Sequence, residues 1–464
     1  MKTKYHQLLI PVLLVSGLWS SCKITKPYAK PVVQIPGHYR DTTITDTTNI
    51  AALKWSELFT DTVLHQLINQ GLQANLDLKI AIERINEAKA NLKLSKAAFL
   101  PEVSTNLSVK QSKLSFPQGF GLVNSSTQYE LGISTAWELD VWGKLSSAKR
   151  ASIAGLLASD AAKRAVQTQL IANIANYYYE LLALDQQMVV TQKTALNRQA
   201  EANTIKNLFE SSVQNGVAVV QSEASFYEAD LAIPDITQKI RETEHALSIL
   251  LARSPGKIER TSLEQQKMNY DLKPGIPAQL LANRPDVQQA EYTFRETFEQ
   301  VNVARTYFYP ALTISGAGGF SSFGLKQWFN SVGLFANIAG GLSQPLLNKG
   351  MNQARLTTAQ ARQKQALYNF ELSLLKASQE VSDALSAYQT AAQKEDKRKK
   401  QLTALTKAVS FNKELLNYSK NTNYTDVLTA EQNLLTAELK GISDQSQKLH
   451  AVVNLYRALG GGWN

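Results

Sequence analysis

Residues 351–418 read MNQARLTTAQARQKQALYNFELSLLKASQEVSDALSAYQTAAQKEDKRKKQLTALTKAVSFNKELLNY and contain neither Gly nor Pro. Apolar residues recur there in alternating steps of three and four, at Leu367, Phe370, Leu374, Ala377, Val381, Ala384 and Tyr388. This 3.5-residue repeat predicts one long helix with a coiled-coil seam. At about 1.5 Å per residue the helix would extend roughly 100 Å, so it must pack lengthwise against helices of similar length.

The same seam occurs 207 residues earlier in the chain. Its positions, each followed by its counterpart, are Leu170 and Ala377, Ile174 and Val381, Tyr177 and Ala384, Leu181 and Tyr388, and Leu184 and Ala391. The helix breakers Pro234 and Gly441 keep this spacing, and so do the turn residues Gly216 and Asn423. We therefore predict an internal duplication, with a kink at each breaker where the packing along the bundle changes.

A strand pair is predicted after a helix in each copy. The helical patterns cover about 75–98 and 284–307 and close at Pro101 and Pro310. Beyond each proline, apolar residues alternate with polar or small ones, which indicates strands with two different faces. The predicted strands cover 103–109 and 129–139 in the first copy, and 311–321 and 333–342 in the second.

The predicted strands have the length and polarity of membrane strands. About ten residues with one apolar and one polar face are what a transmembrane β-barrel requires, since lipid lies outside and water inside. Lipid would then face Tyr129, Leu131, Ile133 and Trp137. Four strands are too few to close a barrel, and open edges cannot lie in lipid, so several chains must contribute. The alternative is a soluble hairpin packed on the helices.

The N-terminus has the pattern of a secretory signal. Lys2 and Lys4 precede an apolar run from Leu8 to Trp19, which is too short to span a membrane. Cys22, the only cysteine, resembles the acylated cysteine of a bacterial lipobox, although Trp19 stands where that motif usually has Leu. We predict lipidation of Cys22; the alternative is a plain signal with an incidental cysteine. The Pro- and Thr-containing residues that follow, to about residue 50, would form a tether.

No catalytic constellation is present in the sequence. The five His residues are scattered, and neither an HExxH pair nor a Gly-rich phosphate loop occurs. A single cysteine excludes disulfides and thiolate metal sites. The net charge of +10 is spread along the chain, and its one dense run, Lys397–Lys400, is typical of a solvated helix face. We therefore predict no enzyme activity, cofactor, metal site or nucleic-acid partner.

These patterns divide the chain into five segments. They are a signal peptide at 1–21, a lipid-anchored tether at 22–50, a first repeat at 51–255, a linker at 256–283 and a second repeat at 284–464. Each repeat would contain a helix, a strand pair and a long helical hairpin. The predicted fold class is an internally duplicated α+β membrane protein.

Several short motifs follow one another after the tether. They are Phe99–Pro101, Trp137–Lys144, Pro277 with Leu280–Val287, Tyr309–Pro310, Gln344–Leu346, Asp426–Ala430 and Asn454–Trp463. Together with the duplication and the lipobox-like leader, they resemble the TolC-like outer-membrane efflux channels, in particular their lipoprotein branch. The order of the motifs and the 207-residue spacing carry this resemblance, since no single motif is specific.

The resemblance implies a homotrimer in the cell outer membrane. Each chain would supply four strands to a twelve-stranded barrel, and the long helices would form an α-barrel tunnel through the periplasm. The family serves as the passive exit duct of tripartite pumps of the resistance-nodulation-division type, meeting a periplasmic adaptor protein and an inner-membrane efflux transporter. Two alternatives stay open: a periplasmic coiled-coil scaffold or adaptor, and a duct for type I protein secretion. The sequence does not indicate the substrate.

The resemblance also indicates a gate at the periplasmic tip. Asp426 begins a motif whose Asp faces the closed aperture in the family, and three-fold symmetry would crowd three carboxylates that attract cations. Thr429 stands where a second acid can occur, so we expect Tyr418 and Tyr424 to contribute to closure. The alternative is that Asp426 is only a helix-start carboxylate, favoured by capping and by the helix dipole.

Overall fold

The computed structural model describes residues 24–31, 50–113, 115, 125–266, 279–418 and 424–463. Its main elements occur twice in one order, as predicted for a duplicated α+β chain. The first copy consists of α1 (Thr62–Ala74), α2 (Leu76–Ala97), β1 (Glu102–Lys113), β2 (Ser125–Leu139), α3 (Lys144–Glu210) and α4 (Gly216–Leu250). The second consists of α5 (Pro285–Thr306), β3 (Ala311–Ser322), β4 (Leu334–Ser343), α6 (Met351–Tyr418) and α7 (Tyr424–Ala458). Short helices lie at Trp55–Leu58 and Leu280–Asn283, and single 3-10 turns at Ile50–Ala52, Leu263–Gln265, Leu325–Gln327 and Ser331–Gly333.

The long helices have the lengths that the sequence predicts. Helix α6 covers 68 residues and α3 covers 67. Helix α4 continues through Pro234 and α7 through Gly441, so neither breaker ends its helix. Gly441 lies against α6, where a Cβ would be 3.6 Å from Arg398 Cγ. Among the residues that the structure describes, no helix is both long and apolar enough to cross a membrane.

Polar side chains fix where α3 and α4 begin. The Asp140 carboxylate accepts the amides of Leu145 and Ser146 at 2.7 and 2.9 Å. Asn215 Oδ1 accepts the Ala218 amide at 2.9 Å. These amides have no partner within the helix, so each cap stabilises the first turn. Because Asp140 directly follows β2, it sets the point at which strand changes into long helix.

The four strands form one antiparallel sheet in the order β1, β2, β3, β4. The pairing of β2 with β3 joins the two copies, with Leu131 opposite Phe320 and Trp137 opposite Ile314. Within the described part of the chain, β1 and β4 each have one edge without a strand partner. An unpaired edge leaves a row of backbone donors and acceptors for another strand.

The chain divides into two compact units. Of the described residues, those within 1–32, 85–159 and 290–370 form the first unit, which contains the sheet, and those within 33–84, 160–289 and 371–464 form the second. In the core of the second unit, Tyr178 and Tyr179 of α3 are buried, whereas Tyr177 is 38% exposed. The seam predicted the opposite for Tyr177. A 3.5-residue repeat drifts around a helix of 3.6 residues per turn, and α3 is buried on more than one side here.

Candidate functional site

One face of the sheet is apolar and exposed. The register places four of its residues side by side across the strands: Leu107, Leu131, Phe320 and Leu334. Of the residues predicted to face lipid, Ile133 and Trp137 are 60% and 38% exposed, and Tyr129 and Leu131 are half-buried. A continuous exposed apolar surface of this kind marks contact with a membrane or a protein.

Aromatic side chains bound this face at both ends of the strands. At the loop end, the ring centroids of Tyr129 and Trp328 lie 5.5 Å apart, and Trp328 stacks on Phe329 at 5.2 Å. At the helix end, Trp137 Nε1 donates a hydrogen bond to the Phe99 carbonyl at 2.9 Å. Aromatic girdles above and below an apolar band are typical of strands that cross a membrane.

The opposite face of the sheet carries polar or small side chains. Hydrogen bonds join Ser104 to Ser134 at 2.8 Å and Gln128 to Ser321 at 3.0 Å across neighbouring strands. Among the described strand residues of this face, Phe335 is the one large apolar side chain. The contrast between the two faces is what separates lipid from a water-filled lumen.

The described tether residues, 24–31, lie on α5. Asn302 of α5 is fully buried; its Oδ1 accepts the Lys26 amide at 3.0 Å, and its Nδ2 donates to the Lys26 carbonyl at 2.9 Å. The same Nδ2 lies 3.1 Å from Glu299, which Arg150 holds with hydrogen bonds of 2.8 and 2.9 Å. A buried amide that contacts both backbone groups of one residue recognises an extended segment whatever its side chain is.

Side chains of the tether add to this docking. Tyr28 packs edge-on against Phe298, with centroids 5.6 Å apart. Burial and the carboxylate of Glu291 raise the pKa of Tyr28 to about 12, so the ring stays neutral. Thr25 lies against Gly143, where a Cβ would be 3.2 Å from Thr25 Cγ2, and Gly143 joins β2 to α3. Cys22 lies outside the described residues.

The gate candidates lie at the ends of the long helices. Tyr424 begins α7, is 6% exposed, and belongs to an apolar cluster with Ile205, Ala218 and Val427. Asp426 lies in the first turn of α7 with its side chain exposed. Tyr418 is the last residue of α6, and its side chain lies outside the described residues, as do residues 419–423.

Two basic side chains beside this cluster join the helical hairpins of the two copies. Lys413 of α6 contacts Glu201 of α3 at 2.7 Å and Glu431 of α7 at 2.6 Å. Arg198 of α3 is 3% exposed and donates to Gln432 of α7 at 2.5 Å. Neither residue is predictable from the sequence, because their partners lie on separate helices and no short spacing connects them.

Burial shifts the pKa values of the ionisable groups beside the apolar cluster. Burial raises the pKa of Glu431, and the neighbouring carboxylate of Glu201 raises it further. Burial alone would lower the pKa of Lys413, but Glu201 and Glu431 outweigh it, and the pKa is raised. Burial, followed by the same two carboxylates, also raises the pKa of Tyr424. A charged lysine between two acids therefore lies beside a neutral tyrosine.

A sheet with one exposed apolar face, joined to helices of 67 and 68 residues, is typical of an outer-membrane channel subunit. The model of the outer membrane efflux protein family matches the chain twice, at residues 67–253 and 276–461. The chain belongs to this family. The predicted α+β fold, the outer-membrane location and the role in efflux are thereby confirmed.

Three relatives illustrate the similarity. The solvent efflux pump outer membrane protein SrpC of Pseudomonas putida is 28% identical over 89% of this chain and 88% of its own. The cation efflux system protein CusC of Escherichia coli K12 is 25% identical over 98% of this chain and 99% of its own. The probable outer membrane lipoprotein SilC of Salmonella typhimurium is 25% identical over 88% of both. A crystal structure of CusC matches with a TM-score of 0.84, at 25% identity, over 95% of this chain and 100% of that one.

Proposed function

We propose that three copies of this chain form the passive exit duct of a tripartite efflux pump. The observation that carries the proposal is the exposed apolar face of the sheet, which is bounded by aromatic residues and ends in strand edges that have no partner among the described residues. An open edge in lipid leaves backbone groups unsatisfied at a cost of several kcal/mol each, so β1 of one chain must pair with β4 of another. Three chains would close a twelve-stranded barrel.

The duct meets a periplasmic adaptor protein and an inner-membrane efflux transporter, which supplies the energy. The chain itself carries out no catalysis and needs no cofactor. Support comes from the family and from the names of two relatives, a solvent efflux pump component and a cation efflux system component. Since those names differ in substrate, we assign the choice of substrate to the pump.

Cys22 is proposed as the lipid-attachment residue of the tether. Thr25 lies where β2 joins α3, at the end of the sheet that carries Trp137. Three residues span at most about 11 Å, so lipid attachment at residue 22 would take place within that reach of Thr25. The name of the relative SilC, a probable outer membrane lipoprotein, agrees with this assignment. An acyl chain attached there would enter the membrane leaflet that contains Trp137, at the helix end of the strands.

The tip gate combines Asp426 with Tyr418 and Tyr424. Asp426 would line the tunnel as a ring of three carboxylates, which binds cations and narrows the aperture. Tyr424, buried with Val427, would hold the start of α7 against α3 and α4. The contacts of Lys413 and Arg198 would keep the two hairpins of one chain together.

Membrane fractionation tests the duct. The full chain should remain in outer membranes after a wash with high salt, dissolve in detergent, and have the mass of three chains by native mass spectrometry. A periplasmic scaffold or adaptor would instead be released by salt. Recovery of the chain in the salt wash, or as a monomer in mild detergent, would contradict the proposal.

A further inference from the structure

Phe335 breaks the pattern of the polar face of the sheet. The register places it on β4 at the level of Gly319 on β3, Gly132 on β2 and Asn106 on β1. It is the second residue of β4, directly after the segment that joins the loop ends of β3 and β4. Every other described strand residue of this face is polar, Ala or Gly. A half-buried aromatic ring on a polar wall requires an explanation.

The ring lies along the sheet. A Cβ built on Gly132 would be 3.4 Å from Phe335 Cζ. Neighbouring strands are about 4.8 Å apart, so β4 and β2, on either side of β3, are separated by roughly 10 Å. A ring that starts on β4 and reaches β2 must cross β3, and it crosses at Gly319.

Two glycines lie along the path of the ring. A Cβ on Gly319 would lie 2.1 Å from the Leu131 carbonyl oxygen, so only glycine fits the backbone there. Gly132 lies at the far end, under the tip of the ring. A Cβ there would only touch the ring tip, at 3.4 Å, but the branched atoms of a larger side chain would compete with the ring for its place and turn Phe335 away from the wall.

We propose that Phe335 limits the width of the lumen near its outward end, and that Gly132, which lies under the ring tip, lets the ring lie against the wall. This inference rests on the proposed barrel, in which three such rings would share one lumen. Flat against the wall, the three rings leave the passage open and present apolar contacts to aromatic or other apolar solutes. Turned inward, they narrow it together, because each ring projects toward the same axis.

Valine substitutions on one face provide the test. Gly132→Val and Ser134→Val place the same branched side chain at neighbouring inward positions of β2, but Gly132 lies beneath the Phe335 ring and Ser134 lies opposite Ser104. Single-channel conductance in planar bilayers should fall by about half in Gly132→Val and stay near the wild-type value in Ser134→Val. Polyethylene glycols of graded size, added on the side of the strand loops, should be excluded at a smaller size by Gly132→Val.

A double variant separates the ring from the added valine. Gly132→Val combined with Phe335→Ala should restore both conductance and the size of polymer admitted. Should Gly132→Val not assemble, Gly132→Thr provides a branched side chain of similar size that suits a polar wall and should give the same order of effects. Gly132→Ala, whose methyl group would lie in ordinary contact 3.4 Å from the ring tip, should stay near the wild-type values.

Each outcome decides between the two proposals. Equal effects of Gly132→Val and Ser134→Val, or failure of Phe335→Ala to restore conductance, would overturn the role of Phe335 and leave the duct intact. A wild-type chain that forms no conducting oligomer would overturn the duct and this inference with it.

Discussion

Asp426 is the residue on which the proposed gate depends most directly. If three copies line the closed aperture, Asp426→Asn removes three charges from one ring, and block of the channel by divalent cations should weaken. Planar-bilayer recordings of wild type and variant, with the cation added on the side of the helix tips, measure this. Asp230→Asn is the matched control, since Asp230 is an exposed carboxylate on α4. If divalent cations block Asp426→Asn as strongly as wild type, Asp426 only stabilises the start of α7 and does not line the aperture.

Cys22 can be tested without reference to the channel. Metabolic labelling with palmitate should mark the wild-type chain and should fail to mark Cys22→Ser. Membrane association of the variant should persist in part, because a single lipid anchor adds only a marginal, reversible contribution to that of the strands. Equal labelling of the two proteins would contradict lipidation at this position.

Lys26 offers a test of the docked tether by backbone chemistry alone. Lys26→Pro removes the amide that Asn302 Oδ1 accepts, whereas Lys26→Ala removes the same charge and keeps the amide. Asn302 Oδ1 also accepts from Arg305 Nη1 at 3.2 Å, so the proline variant loses one of its two hydrogen bonds. One hydrogen bond contributes about 0.5–1.5 kcal/mol, so the amides of residues 28–30 should exchange several-fold faster in the proline variant. Hydrogen exchange followed by mass spectrometry measures this. Identical exchange in the two variants would mean that Asn302 does not hold the tether.

At the scale of elements, the two faces of β2 should respond differently to charge. Leu131→Arg puts a cation on the apolar face and should destabilise the folded protein in lipid by about 2–4 kcal/mol near the midplane. Ser134→Arg puts the same cation on the polar face and should alter conductance far more than stability. Unfolding of the two variants in lipid vesicles by denaturant compares them. Equal destabilisation would indicate a soluble, packed hairpin.

The strands and helices could be predicted because their signals are local. The sequence predicts α6 as 351–418, the bounds that the structure shows, because no Gly or Pro interrupts the repeat. The strand pairs were correct to within a few residues, and their alternation identified the apolar face before the register was known. Tyr177 was predicted to be buried, but it lies with Asn173 and Glu180 on the less buried side of α3, which the apolar repeat does not distinguish at an amphipathic tyrosine.

The cluster at the helix ends could not be predicted, for a physical reason. Lys413, Glu201 and Glu431 lie on three helices, more than 200 residues apart at the extremes, and each alone resembles a solvated surface charge. Asn302 was missed in the same way, since its partner Lys26 is 276 positions away. The contact between Phe335 and Gly132 depends on the register of three strands, and the periodicity within one strand does not fix that register.

For the whole molecule, the decisive feature is a pair of strand edges, one on β1 and one on β4, that have no partner within the described part of the chain. Within one chain, β2 and β3 separate these two edges. If the sheet is one part of a barrel, a disulfide between β1 and β4 can therefore form only between different chains. We expect cysteine pairs that combine Thr105→Cys on β1 with Ala336→Cys, Ile338→Cys or Gly340→Cys on β4 to cross-link at one register. The background should be Cys22→Ser, which leaves no native thiol.

The pattern of products reports the number of chains. Under oxidation, denaturing gels should show linked dimers and trimers and nothing larger, because a ring of three closes on itself. The control is a variant with both cysteines on β1, such as Thr105→Cys with Leu107→Cys. It has no thiol on β4 and should therefore give no series of linked dimers and trimers. Species larger than three chains would indicate a different closure, and a complete absence of intermolecular links across the whole scan would show that β1 and β4 do not meet in the membrane. Monomer, linked dimer and linked trimer as the only three bands, obtained from the intact protein in its own membrane, would therefore support the twelve-stranded arrangement.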